Sequence, residues 1–290
     1  MAGNFVTGSP IKYRKKGNWE EFPMKFRWQT GLWFELFEKH LDLIVEDIKR
    51  AQAEDRLITY LSCPISGREG SHSLTNIEIT RHVARQLETK WGSRFWVLNP
   101  ALYQMESSSG TGLIKRHAHL LSAEKGLMPE IDIEQLHKES PLTGGDYLRM
   151  WTKVLVGDDA DNLGNRFDAF YFIGPVDVWN FFTNSGNTDL TRGVEDYFAR
   201  KIATNAEFRS CFGEARKIDD AEREFFKFYT LKAGAHFSLG SHDEYNIWQI
   251  HNVLRRREIR PLASIPGYFD GRQIGLGAAE TELSPGYAIN

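Results

Sequence analysis

The segment Ser66–Ser71 combines residue types that bind an anion, and it follows a predicted strand. Its sequence is Ser-Gly-Arg-Glu-Gly-Ser, placed after the apolar run Leu57–Ser62 and the link Cys63–Ile65. Two glycines let backbone N–H groups approach a phosphate, serine and arginine side chains add donors, and a following helix adds its positive end. The spacing matches neither GxxxxGK[ST] nor GxGxxG. A plain strand-to-helix turn explains the same residues equally well.

Two carboxylates, Asp168 and Glu195, are candidates for acid–base or nucleophilic chemistry. Asp168 lies in the apolar run Phe167–Ile173, where an unpaired charge would be costly. Glu195 follows a glycine-containing turn at the start of a predicted helix. Two carboxylates in one cleft can divide the roles of nucleophile and acid. For Glu195 the residues alone favour a simpler interpretation, a negative charge that stabilises a helix N-terminus.

The chain contains nine histidines, which raises the question of a metal site. Those nearest to a ligand spacing are His117, His119, His236, His242 and His251. They form neither HExxH nor a zinc-finger spacing, and we interpret them as scattered surface residues. The acidic cluster His242–Glu244 could bind a cation, although one such cluster is weak support. The absence of GxSxG argues against a Ser-His-Asp hydrolase.

The elements that must position these groups alternate between strand and helix patterns. Strands are predicted at Leu57–Ser62, Phe95–Leu98 and Phe167–Ile173. Helices are predicted at 32–53, 76–90, 145–156, 191–203 and 244–257. Residues Ser107–Gly112 read as a surface loop. This alternation predicts an α/β fold with a three-layer parallel sheet flanked by helices, of the flavodoxin or Rossmann type, and ligands beyond the carboxyl ends of the strands.

Composition narrows the class of protein further. The net charge is −3 over 290 residues, which gives no overall attraction to nucleic acid or to an anionic membrane. Cys63 and Cys211 are the only cysteines, which indicates a reducing compartment. There is no signal-peptide pattern and no apolar run long enough to span a bilayer, so we expect a cytoplasmic protein. We expect a loose N-terminal arm and helix over 1–55, a catalytic domain over 56–232 and a C-terminal extension over 233–290.

Five short segments resemble, in order, the motifs of a known family. They are Ile58–Gly67, Asn99–Pro100, Phe167–Phe172, Ser185–Gly186 and Gly193–Glu195. These segments resemble the first strand and loop, the end of the second strand, the aspartate-bearing strand and the glutamate turn of the nucleoside 2-deoxyribosyltransferase-like superfamily. The resemblance covers roughly residues 56–205.

The resemblance implies an enzyme that cleaves the N-glycosidic bond of a nucleoside or a nucleoside 5′-monophosphate. By position, Glu195 would attack the anomeric carbon, Asp168 would handle the base and Tyr60 would orient the nucleophile. The residues implied to bind substrate are Ser62, Pro64, Ser66, Gly67, Arg68, Ser71, Asn99 and Trp179. No metal and no redox cofactor is implied, and the family commonly builds its sites across subunit contacts, so a homo-oligomer is expected.

Several alternatives stay open at this stage. Arg68 favours hydrolysis of a monophosphate, with transfer of the sugar to another base close behind. An NAD-cleaving enzyme and a nucleotide-sensing module without turnover are further alternatives. The segment 179–192 is longer than the family's turn, so Asp189 or Asp196 could replace Glu195. The C-terminal segments His242–Glu244 and Arg255–Arg257 could also reach the cleft.

Overall fold

A computed structural model describes most of the chain. The described residues are 4–7, 12–15, 18–24, 27–30, 33–65, 71–105, 108–128, 130–140, 142, 144–157, 163–184, 186, 189–212, 218–232, 239–258 and 261–277. All statements below refer to these residues.

The strands form one large sheet and two small ones. In chain order they are β1 (Asn4–Thr7), β2 (Lys12–Lys15), β3 (Asn18–Glu21), β4 (Arg27–Thr30), β5 (Leu57–Ser62), β6 (Phe95–Leu98), β7 (Ala169–Phe172), β8 (Gly267–Phe269) and β9 (Arg272–Ile274). The large sheet has the order β6-β5-β7-β8-β9. Its first four strands run parallel, and β9 pairs antiparallel with β8.

Helices connect these strands and cover the sheet. They are α1 (Phe34–Ala53), α2 (Ser73–Trp91), α3 (Ser108–Lys125), α4 (Ile133–Glu139), α5 (Gly144–Val156), α6 (Pro175–Thr183), α7 (Leu190–Thr204), α8 (Ala206–Ser210), α9 (Ile218–Lys227) and α10 (Leu239–Arg257). A 3₁₀ turn spans Pro100–Tyr103, and a π-helical segment, Phe228–Lys232, extends α9. The expected surface loop at Ser107–Gly112 is wrong, because α3 begins at Ser108.

Two apolar clusters lie on opposite faces of the sheet. Ile58 and Tyr60 point to the face covered by α1, α3, α5 and α10, whereas Leu61 points to the face covered by α2, α6, α7 and α9. This division follows from the period of two along a strand, which sends alternate side chains to opposite sides. The three-layer α/β architecture expected from the sequence is therefore confirmed, with one antiparallel edge strand added.

The strand order creates a switch point between β5 and β7. From β5 the chain passes to β6 on one side, and it returns to place β7 on the other side of β5. The registers pair Tyr60 with Leu98 and Ser62 with Phe172, so the strands end at the same edge. The connections leave in opposite directions from this point, which opens a crevice where α/β proteins bind ligands.

The chain ends do not follow the division expected from the sequence. In the N-terminal region expected to be a loose arm, β1 pairs with β4 and β2 pairs with β3. The boundary predicted near residue 232 does not separate an extension, because β8 and β9 belong to the main sheet. A two-residue turn joins them, with positive φ at Asp270 and Gly271, as a type I′ hairpin requires.

The same hairpin holds the start of α6. Asp270 Oδ1 accepts hydrogen bonds from the backbone N–H groups of Val176 at 2.8 Å and Asp177 at 3.0 Å. These groups have no partner within their own helix, and a carboxylate there also interacts favourably with the helix dipole. Within the described ranges, none of the helices is long and apolar enough to cross a membrane.

Candidate functional site

A carboxyl group that accepts hydrogen bonds from two hydroxyls lies at the carboxyl end of β5. Tyr60 Oη donates a hydrogen bond to Glu244 Oε1 at 2.7 Å, and Ser62 Oγ donates one to Glu244 Oε2 at 2.5 Å. Tyr60 and Ser62 are two residues apart on β5, so both side chains point to the face that α10 covers. Both carboxyl oxygens are thereby fixed in position.

The surroundings of this carboxyl group are apolar. The ring of Tyr60 is fully buried and lies against Trp151, Phe167 and Phe170, with ring centroids 5.5 to 6.0 Å apart. Glu244 as a whole residue is partly exposed, but its carboxyl group is buried against Tyr60 and Ser62. A charged group in such a place needs hydrogen bonds to offset lost hydration, and the two hydroxyls supply them.

Burial sets the proton affinity of this group. Loss of hydration raises the pKa of Glu244 to about 7, although the hydroxyls of Ser62 and Tyr60 act in the opposite direction. Burial, followed by the nearby charge of Glu244, raises the pKa of Tyr60 well above its usual value. Tyr60 therefore stays protonated and donates, while Glu244 changes its charge near neutral pH.

Glu195 occupies a different place from the one implied by the resemblance. It is exposed on α7, a helix that covers the opposite face of the sheet from α10. The carboxylate against Tyr60 is that of Glu244, so the expectation that Tyr60 orients Glu195 is corrected. From the sequence, His242–Glu244 is predicted only to reach the cleft. The sequence feature that indicates Glu244 is its place near the start of the helix predicted at 244–257.

Asp168 lies at the amino ends of the strands, whereas the site lies at their carboxyl ends. It is exposed and precedes β7, and its Oδ2 accepts a hydrogen bond from the Ile58 N–H at 2.7 Å. Its own N–H donates to the carbonyl of Ile58 at 2.8 Å. Ser62 lies four positions after Ile58 on β5, which is about 13 Å along the strand. Asp168 therefore anchors the amino ends of β5 and β7 and does not lie with Glu244.

Replacing Asp168 by Ala should cost stability and leave the site intact. The variant loses the hydrogen bond that the Ile58 N–H donates to the carboxylate, worth about 1–2 kcal/mol. We expect a lower urea midpoint with an unchanged slope, and an unchanged affinity for any ligand of the Glu244 site. A loss of that affinity in a folded variant would return Asp168 to the site.

The other residues implied to bind substrate fall into three groups. Ser66, Gly67 and Arg68 lie outside the described residues. Ser62 and Pro64 lie at the carboxyl end of β5. Ser62 donates a hydrogen bond to Glu244, and Pro64 lines a cavity described below. The Ser71 hydroxyl accepts a hydrogen bond from Asn76 Nδ2 at 2.5 Å, close to the start of α2.

The last two of these residues have local roles. Asn99 is buried, and its side chain accepts a hydrogen bond from Ala101 N–H at 2.9 Å, which caps the 3₁₀ turn. Trp179 is 43% exposed on α6. Neither side chain has a contact with Glu244 in the described structure.

A cavity opens at the switch point, on the face opposite Glu244. It is small, with a volume of about 30 Å³. The lining residues come from the ends of β5 and β7 and from three helical segments: Cys63, Pro64, Asn76, Ile79, Thr80, Ile173, Val178, Phe228 and Tyr229. Cys63 follows Ser62 directly, so the cavity and the carboxyl group share the end of one strand.

The histidines are more buried than the sequence predicted. His40, His72, His117 and His251 are buried, and His251 is only 1% exposed. Burial lowers the pKa of His72, His117 and His251 to about 4. The interpretation as surface residues is thus wrong for His117 and His251, while His236 lies outside the described residues. No group of three or more His, Cys, Asp or Glu side chains placed for a metal ion occurs in the part of the chain that the structure describes.

Comparisons with known proteins add no relative to this description. No protein-family model, no curated protein and no solved structure matches this chain. The interpretation of the site therefore depends on its own geometry.

Proposed function

We propose that this chain is an enzyme that hydrolyses the N-glycosidic bond of a nucleoside or a nucleoside 5′-monophosphate, with Glu244 as the attacking carboxylate. One observation carries the proposal. A buried carboxyl group, which accepts hydrogen bonds through both oxygens from Tyr60 and Ser62, lies at the carboxyl end of β5. This is the edge where α/β folds bind their ligands.

The geometry fits the needs of glycosidic cleavage. The transition state resembles an oxocarbenium ion, and a carboxylate fixed close to the anomeric carbon stabilises its positive charge. Tyr60 holds one oxygen in place, and Ser62 holds the other. The resemblance to deoxyribosyltransferase-like enzymes also implies a tyrosine of the first strand beside the nucleophile, and Tyr60 has such a neighbour in Glu244.

The proposed reaction proceeds in two displacements. A Glu244 oxygen bonds to the anomeric carbon while the bond from that carbon to the base nitrogen breaks, and the base leaves with the electron pair and takes a proton from solvent water. Water then attacks the anomeric carbon, releases the carboxylate and gives up its proton to solvent or to a nearby group. A second base in place of water would give transfer instead, so both outcomes share the first displacement.

The test is the release of free base from a panel of substrates. The full-length protein is incubated with nucleosides, 5′-monophosphates and NAD, and the products are separated by chromatography. Free base from a nucleoside or monophosphate supports the proposal, and exchange with an added labelled base would identify a transferase. Release of nicotinamide from NAD, with no base released from the other substrates, would identify an NAD-cleaving enzyme instead. Nucleotide binding without any product would contradict the proposal and indicate a sensing module.

The pH profile of base release should rise with pH through about 7. The pKa of Glu244 is raised to about 7 by burial, and only the ionised carboxylate is a nucleophile. Below the pKa the group is protonated, so kcat/KM should fall about tenfold for each pH unit. Removing the hydroxyl in Tyr60→Phe takes away an interaction that lowers the pKa of Glu244, so the midpoint should move to higher pH. A profile that falls through pH 7 would assign Glu244 the role of a general acid.

A further inference from the structure

One side of α10 carries Glu244, Trp248 and Asn252, which are spaced four residues apart. In an α-helix, residues at this spacing lie one above the other on the same side. Glu244 accepts hydrogen bonds from Tyr60 and Ser62 on β5, and the side chains of Trp248 and Asn252 are buried. This side of α10 therefore faces the sheet, and the proposed nucleophile is one of three side chains that fix the helix to it.

Asn252 binds the backbone just before β8 through both ends of its amide. Its Oδ1 accepts a hydrogen bond from the N–H of Ile265 at 2.7 Å, and its Nδ2 donates one to the carbonyl of Ile265 at 3.1 Å. The indole Nε1 of Trp248 donates to the same carbonyl at 2.9 Å. Because hydrogen bonds weaken steeply with distance and angle, these three bonds allow little sliding of α10 along the sheet.

Gly267 determines how closely α10 approaches the sheet. A Cβ atom at this residue would lie 2.4 Å from Cζ2 of Trp248 and 2.7 Å from Cε2, closer than packed carbon atoms come. The absence of a side chain lets the indole pack directly on the backbone of β8. A methyl group at residue 267 would therefore push α10 away from the sheet.

The sheet places Gly267 level with a residue that binds the carboxyl group. Tyr60 pairs with Phe170, and Phe170 pairs with Gly267, so the three residues form a row across β5, β7 and β8. Neighbouring strands are about 4.8 Å apart, so the row spans about 10 Å. Glu244 is four residues from Trp248, about 6 Å along the helix. A displacement of α10 at Gly267 therefore reaches the carboxyl group.

We propose that Gly267 and Asn252 are positioning residues for Glu244: they fix the place of α10 on the sheet and thereby keep its carboxyl group within hydrogen-bond distance of Tyr60 and Ser62. The two hydroxyls belong to β5, whereas the backbone that Trp248 and Asn252 contact belongs to β8 and the residues before it. The carboxyl group stays in place because α10 bridges both strands. The catalytic consequence rests on the proposed function, and the effect on the position of the carboxyl group does not.

The titration of Glu244 reports the position of its carboxyl group without any substrate. Burial raises the pKa of Glu244 to about 7, while the hydrogen bonds from Ser62 and Tyr60 lower it, so weaker bonds should raise the pKa further. The full-length protein is labelled with carbon-13 at the side-chain carboxyl groups of glutamate. The signal of Glu244 is identified by its absence in Glu244→Gln, and its titration midpoint is measured by NMR.

We expect Gly267→Ala and Asn252→Ala each to raise this midpoint by about half a pH unit or more, because hydrogen bonds to a carboxylate favour its charged form. Asn252→Ala leaves the close contact at Gly267 unaltered, so it tests the position of α10 even if Gly267→Ala does not fold. A midpoint equal to or below that of the wild type in a folded variant overturns the role of the residue replaced.

A matched control separates this effect from a general loss of stability. Asn205 Oδ1 accepts a hydrogen bond from the Phe208 N–H at 2.9 Å and caps α8, which packs on the opposite face of the sheet. Asn205→Ala should lower the stability, as the loss of a helix cap does, and leave the midpoint of Glu244 unchanged. An equal shift in this control would overturn the proposal, because the midpoint would then follow overall stability.

The two proposals fail in different ways. A raised midpoint in both variants, without base release from any substrate by the wild type, removes the hydrolase and keeps the positioning role. Base release by the wild type, with an unchanged midpoint in both variants, removes the positioning role and keeps the hydrolase. Where both proposals hold, kcat falls in the two variants and KM changes little, because Glu244 acts on the reacting bond.

Discussion

Glu244→Gln should lower the rate of base release by at least about 10³-fold, whereas Glu195→Gln should leave it within about twofold of the wild-type rate. The amide keeps the shape of the side chain but cannot act as an anionic nucleophile, and losses of this size are typical when a covalent nucleophile is removed. Glu195 is exposed on the opposite side of the sheet, so its charge is remote from the reacting bond. The measurement is the initial rate of base release from the best substrate of the panel.

This pair of variants distinguishes the nucleophile assigned from the geometry, Glu244, from the one implied by the resemblance, Glu195. The motif Gly193–Glu195 implies a nucleophile on α7, and the hydrogen bonds of Tyr60 and Ser62 point to α10. Loss of activity in Glu195→Gln with activity kept in Glu244→Gln would reject our assignment in favour of the motif. Substrate affinity should persist in Glu244→Gln, and a circular dichroism spectrum equal to that of the wild type would show that the variant is folded.

His251→Gln should change how stability depends on pH, by about 3 kcal/mol between pH 7.5 and pH 4. Burial lowers the pKa of His251 from 6.5 to about 4, and each pKa unit is worth about 1.4 kcal/mol. Between these values the unfolded chain binds a proton that the folded protein does not. The stability from this residue is complete above pH 6.5 and is lost as the pH falls towards 4.

We expect the difference in free energy of unfolding between the wild type and His251→Gln to become smaller at acidic pH. Gln can replace the donor that His251 Nε2 places on the carbonyl of Leu155 at 3.1 Å, but it loses the edge contact with Phe22. The variant should thus be less stable than the wild type at pH 7.5, and this deficit should shrink by about 3 kcal/mol towards pH 4. Urea unfolding across this range measures the difference.

A substitution that removes no titrating group supplies the control for this measurement. Phe22→Leu removes the same ring contact with His251, so its difference from the wild type should stay nearly constant with pH. The raised pKa of Glu244 gives the wild type a pH dependence of the opposite sign, but that contribution is common to the proteins compared and cancels. A constant deficit for His251→Gln would mean that His251 titrates equally in both states.

Local sequence patterns specify most of the sheet and helix elements, and with them the class of fold. The runs Leu57–Ser62 and Phe95–Leu98 form strands with the predicted bounds, and the helix predicted at 32–53 is α1. Local apolar periodicity specifies such elements, because it decides which face of each segment must be buried. The hairpin after α10 also has a local sequence signal, because the dipeptide Asp270–Gly271 favours a type I′ turn.

Packing between distant elements selects the carboxylate that belongs to the site. Glu244 and Tyr60 are 184 residues apart in the chain, and their hydrogen bond depends on how α10 crosses the sheet. The same holds for Asp168, which has an active-site residue type but precedes its strand at the edge opposite Ser62. Residue types and spacing carry information about neighbours along the chain. Packing between distant elements determines which side chains meet and which histidines are buried.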